Sequence, residues 1–161
     1  MITKDDFTKM LSHELDILSS QTEGLTHEEG LLQPQPGGNC LNWVIGHLVG
    51  NLVITLSVLG GDPPSGLPDL EHYGYESKPV LCDEAGVLDL HVLINAYALL
   101  TKTISERLAQ MSEADFDEEI EFWQGQSRLG YIAFFYFFHN TYHIGQLEQL
   151  RNLAGRTEKV I

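Results

Sequence analysis

The hydrophobic positions of the chain fall into four stripes with helical spacing, separated by stretches that cannot continue a helix. The first stripe is Phe7, Met10, Leu11, Leu15 and Leu18, at the steps of three and four that line one helix face. Thr3 with Asp6 is a start signal and Gly24 a stop, while Lys4, Asp5, Lys9, His13 and Asp16 fill the wet face. Residues 30 to 38, Gly-Leu-Leu-Gln-Pro-Gln-Pro-Gly-Gly, break the pattern. Asn39 then predicts the cap of a second helix from Cys40 to Leu59, apolar nearly all round and therefore central.

Gly60 to Pro79 is rich in glycine and proline and predicts a long connection without a regular element. Asp83 predicts the cap of a third helix whose stripe is Leu90, Leu93, Tyr97, Leu100, Ile104, Leu108 and Met111. The acidic run Ser112 to Gln126 reads as a solvated connector. Ser127 predicts the cap of the last helix, which carries Tyr131 to Phe138, His139, His143, Leu147 and Leu150 and stops at Gly155. With no internal repeat, these elements predict an all-α four-helix bundle forming a single domain over residues 1–161. The long second connection can carry the chain back along the bundle, so that the third helix starts in the same direction as the second.

Charge narrows the partners. Nine Lys and Arg against 23 Asp and Glu give a formal charge of -14 in 161 residues. That balance repels phosphate backbones and anionic membrane surfaces, so no nucleic acid and no membrane partner is expected. The first residues are charged where a signal peptide needs an apolar run, so export is not expected. Trp43 to Leu59 is apolar enough to resemble a membrane span, but His47, Asn51, Thr55 and Ser57 are costly against lipid and favour a buried helix. Cys40 and Cys82 lack a paired spacing, which suits a reducing cytoplasm.

The candidate chemistry lies in the histidines. His13, His27 and His72 fall on a polar face or in predicted loops. His139 and His143 are four apart on one helix, so both rings reach one ion, and they follow the apolar run Phe134-Phe135-Tyr136-Phe137-Phe138. Core packing produces such pairs as well as metal sites do. The spacing His139-Asn-Thr-Tyr-His143 has Asn140 where a zincin peptidase carries its Glu, and an amide is no general base. No histidine has Glu three positions before it, which excludes the di-iron carboxylate pattern. His47, flanked by Gly46 and Gly50, is either a third ligand or a hydrogen-bonded core histidine. His91 adjoins the third stripe and is a fourth-ligand candidate.

Asn42-Trp43-Val44-Ile45-Gly46-His47-Leu48, then His139-Asn-Thr-Tyr-His143-Ile-Gly-Gln146-Leu and Leu150-Arg-Asn-Leu-Ala-Gly155, together resemble the DinB/YfiT-like metalloenzyme family over essentially the whole chain. The resemblance implies a four-helix bundle in up-down-down-up order, with His47, His139 and His143 holding a divalent metal: nickel, zinc or iron. Related members include thiol-dependent transferases and isomerases. The resemblance therefore implies a metal-dependent enzyme, an S-transferase joining a low-molecular-weight thiol to a small-molecule electrophile, or alternatively a hydrolase or a non-catalytic metal-binding stress-response module. It also implies a homodimer.

Three imidazoles leave a divalent ion an open position, where the acidity of water or a thiol rises. Asn51 and Gln146, one turn from His47 and His143, are candidates to orient the rings or a ligand, or else to bond within the core. Tyr142 and Trp43 are candidates to line a pocket or to fill the core.

Overall fold

Thr3 starts the first helix as its sequence predicts. Its hydroxyl accepts from the Asp6 amide while the Asp6 carboxylate accepts from the Thr3 amide, closing a capping box at the head of α1, Lys4–Thr22. The computed structural model describes residues 2–123 and 125–160, and it is mostly helical. A one-turn helix α2, His27–Gly30, is followed by α3, Leu41–Val58, α4, Leu90–Gln110, the one-turn α5, Glu113–Phe116, and α6, Leu129–Leu153. Between α5 and α6 lies a hairpin of β1, Glu119–Phe122, and β2, Gly125–Arg128, antiparallel with Ile120 opposite Ser127.

The long helices pack in a cycle, α1 on α4, α4 on α3, α3 on α6 and α6 on α1. Hydrogen bonds at their ends fix their directions. Asn42 at the head of α3 donates to Leu88 O, just before α4, while Arg107 near the end of α4 donates to Leu59 O, just past α3, so those two run parallel. The contacts Phe7 with Phe137, Glu14 with Thr141 and Gln21 with Arg151 set α1 parallel to α6. Tyr97 in the first half of α4 meets Glu14 near the middle of α1, and Lys4 at the head of α1 meets Glu113 just past the end of α4, so α1 and α4 are antiparallel.

α3 is the central helix. Ile45, Leu48, Leu52 and Leu56 are buried, with His47 and Asn51 among them. It is apolar and long enough to cross a membrane, alone among the described helices, yet it is largely covered by the rest of the protein.

Three helix starts and one connector differ from expectation, each for a local reason. Cys40, not Asn39, occupies the cap position of α3, and no side chain bonds there. α4 starts at Leu90 under an Asp89 cap, because Gly86 at φ +93° turns the chain after Asp83. The acidic connector is ordered by a capping box of its own, Ser112 with Asp115, and by the hairpin. Ser127 belongs to β2, leaving Arg128 ahead of α6 with no side-chain cap. The long connection also holds a 3-10 turn, Glu71–Tyr73, which positions the candidate site.

Candidate metal centre

Trp43 and His47 are one turn apart on α3, and their rings stack, with centroids 4.9 Å apart and planes 10° from parallel. Trp43 is held in turn by its indole N–H, which donates to Ser77 Oγ at 2.9 Å. The other side of His47 is set by Tyr73, whose ring lies where a side chain on Gly46 would collide with it. The Tyr73 hydroxyl donates to Asn42 Oδ1 at 3.1 Å and accepts from the Leu88 amide at 2.7 Å, tying the 3-10 turn to the heads of α3 and α4. Its carbonyl oxygen lies 3.0 Å from His47 Nδ1. A carbonyl only accepts, so the proton of His47 sits on Nδ1 and its Nε2 lone pair is free.

That lone pair meets α6. His47 Nε2 is 3.1 Å from His139 Nε2, and one ring nitrogen from each of His47, His139 and His143 lies within 4.8 Å of the others. His143 repeats the pattern of His47: its Nδ1 is 3.0 Å from Gln146 Oε1, which assigns the proton to Nδ1 and frees Nε2. Burial holds His47 below the ordinary histidine range against the Tyr73 carbonyl, and His143 lowers it further. Burial, then His143 and His47, lower His139 in the same way.

Neutral imidazoles are what a cation requires. Two nitrogens 3.1 Å apart repel if both present lone pairs, and the one proton of His47 is committed to Tyr73. Either His139 Nε2 donates a proton to His47 or the two nitrogens share a cation. The donor set, three imidazoles with no carboxylate in the cluster, fits a divalent transition ion such as zinc, nickel or iron and not magnesium or calcium.

The remaining candidates separate clearly. Gln146 touches His143, as above. Asn51 is buried one turn beyond His47, and its Nδ2 has no protein partner among the described residues. Tyr142 is exposed, its ring edge-on to His143 with centroids 5.3 Å apart, so it borders the cluster from the surface and does not fill the core. His91 is exposed at the start of α4 and stands outside the cluster, as does His72, whose ring lies over Gly86. His27 is no solvated imidazole: it accepts from the Leu90 amide at 3.3 Å and lies 3.6 Å from Asp83. Gly50 has nothing near it, so of the two glycines flanking His47 only Gly46 serves a close approach. Asn140 is fully buried against Tyr97 of α4.

Tyr73 and Glu14 matter here without having been singled out by their sequence context. Tyr73 sits in a glycine-rich stretch with no periodicity, and Gly46 was its only trace. Glu14 is buried between Tyr97, 3.3 Å from Oε2, and Thr141, 2.7 Å from Oε1.

A family model described as the DinB superfamily matches residues 10–147. The chain is also similar to a solved structure described as a conserved protein from Enterococcus faecalis, at TM-score 0.75, with 96% of this chain and 98% of that one covered. Sequence identity is 18%, so the likeness is one of fold. No curated protein matches.

Proposed function

The chain belongs to the DinB superfamily, and from that premise we propose that it is a divalent-metal-dependent enzyme acting on a small molecule, specifically a transferase that joins a low-molecular-weight thiol to an electrophile. The helix directions described above support an up-down-down-up four-helix bundle as its frame. The observation that carries the metal reading is the convergence of three histidine nitrogens from α3 and α6 with two of the rings held by oxygen acceptors, Tyr73 O and Gln146 Oε1.

His47, His139 and His143 would hold the ion. When bound, it would supply Lewis acidity to a thiol or water in its remaining coordination position. The protein's part is to orient and shield. Tyr73 and Gln146 fix which nitrogen of His47 and of His143 faces the site, and the Trp43 ring covers one face of His47 from water. The placement of His91 and His72 outside the cluster favours an open position over a closed structural one, and so favours catalysis over a non-catalytic metal-binding stress-response module. Catalysis is tested by offering the metal-loaded protein a panel of thiols and electrophiles. Consumption of a thiol supports the transferase, and a loaded protein that neither binds nor consumes any of them refutes it.

The macromolecular partner we propose is a second copy. Tyr131, Phe138 and Tyr142 are 61%, 64% and 66% exposed along one side of α6, with Phe135 between them and Trp123 of the hairpin against Phe135. No Asp, Glu, Lys or Arg interrupts α6 from Leu129 to Leu147. Half-exposed aromatic rings of this number present roughly 500 Å² of apolar surface, near the ceiling for a monomer and a large part of the roughly 800 Å² per partner that a stable dimer buries. The setting we propose is the cytoplasm, where the exposed Cys82 stays a thiol.

A further inference from the structure

A cleft of about 380 Å³ opens beside the histidine cluster, between the loop that ends at Asn39 and the second half of α6. His143 and Gln146 line it, so it is continuous with the cluster. Its polar wall consists of amides: Gln35 and Asn39 on the loop, Gln146 and Gln149 on α6. Pro34, Leu150 and Leu153 supply the apolar remainder. Among the described residues no Asp, Glu, Lys or Arg lines it, although the chain carries 23 carboxylates and a formal charge of -14.

Such a lining selects by chemistry. An ammonium group would find no carboxylate there, and a carboxylate or phosphate would find no Lys or Arg and would first cross the field of a strongly acidic protein. A primary amide presents a donor and an acceptor side by side, and its best complement is another amide. Gln146 is already half committed: its Oε1 faces His143 Nδ1 at 3.0 Å, which leaves its N–H protons for a ligand carbonyl. A carbonyl bound there would be held one side chain away from the histidine cluster.

We propose that this cleft is the subsite for the body of the substrate, and that it takes an uncharged, amide-bearing molecule whose own donor atom reaches the histidine cluster. The inference rests on the thiol-transferase reading of the site and adds to it the class of thiol. The cleft volume is that of a small-molecule site, in the range of about 300–1,000 Å³.

The test loads the full chain with zinc and then titrates four thiols by calorimetry, with affinities corrected for the acidity of each thiol. N-acetylcysteinamide is neutral and carries amides, N-acetylcysteine is anionic, cysteamine is cationic, and 2-mercaptoethanol is neutral without an amide. The first should bind about tenfold more tightly than each of the others, the worth of about one well-made amide pairing. Asn39→Ala and Gln149→Ala should each weaken N-acetylcysteinamide by several-fold to tenfold while zinc affinity and 2-mercaptoethanol affinity stay the same. Charged thiols that bind as well as the neutral amide, or an amide preference that both variants leave intact, overturn the inference alone. Failure of zinc, nickel and iron alike to bind, or of all four thiols to bind the loaded protein, removes the thiol-transferase reading and this inference together.

Discussion

His47 Nδ1 lies 3.0 Å from the carbonyl oxygen of Tyr73, a residue placed by a 3-10 turn in the middle of the long connection. One backbone acceptor thereby selects the tautomer that turns His47 Nε2 toward α6. The contact exists because Gly46 has no side chain to exclude the Tyr73 ring.

Gly46→Ala therefore drives its methyl group into Tyr73. The expected result is a loss of roughly 1–3 kcal/mol of stability by urea unfolding, the range of overpacked cores. Metal affinity should weaken with it, because the acceptor of His47 is displaced. A variant of unchanged stability would show that Tyr73 does not occupy this place.

Gln146→Leu tests the partner of His143. Removing an acceptor that orients a metal-binding histidine costs about 10–100-fold in metal affinity. Gln146 is only half-buried, so stability should stay within about 0.5 kcal/mol of the parent. Metal titration beside urea unfolding separates the two effects.

Glu14 makes stability depend on pH. Burial raises its carboxyl to about 7 against the hydrogen bonds of Thr141 and Tyr97. The hydrogen bonds fit a protonated carboxyl: Thr141 has one proton for two acceptors, Glu14 Oε1 at 2.7 Å and Phe137 O at 3.0 Å, and a carboxyl proton donated to Thr141 Oγ1 makes up the deficit. With the folded value above the ordinary glutamate value of 4.5, the native state holds a proton that the unfolded chain releases. The stabilisation is complete below about pH 4.5 and is lost as pH rises to about 7, a span worth about 3 kcal/mol. Glu14→Gln should lose this slope, so that the difference between parent and variant, measured by urea unfolding from pH 5 to 8, moves in the variant's favour as pH rises. A constant difference would contradict the assignment.

The extent to which the sequence announced this arrangement varies with the kind of signal. Apolar periodicity marked the four long helices, and three ends were clear because Thr3 with Asp6, Gly24 and Gly155 are terminal signals in their own right. The head of α4 was obscured because Asp83 and Asp89 are both plausible caps, and only the turn at Gly86 decides between them. The hairpin was hidden by its charges: Glu119 and Glu121 share the exposed side of β1, so a half-buried strand looked like a solvated run. The histidine spacing suggested a site, but the Tyr73 acceptor lies in a segment with no periodicity. Glu14 stands three residues after Leu11 and four before Leu18, within the apolar stripe of α1, and its buried position was legible there against its residue type.

The aromatic side of α6 should hold two copies together. Tyr131→Lys with Phe138→Lys changes two exposed residues, so the helical circular dichroism should persist. Sedimentation should then show a dimeric parent and a monomeric variant. A parent that is monomeric at high concentration would refute the proposed second copy.

The central claim is that His47, His139 and His143 hold one divalent ion, and metal content measured with the histidines in place and removed tests it most directly. The account predicts about one equivalent of zinc, nickel or iron per chain by elemental analysis after loading and desalting, and none in a folded His143→Ala variant. A parent chain that retains no metal, with unfolding unchanged by chelator or by added ion, would contradict it and leave the three rings as hydrogen-bonded core histidines.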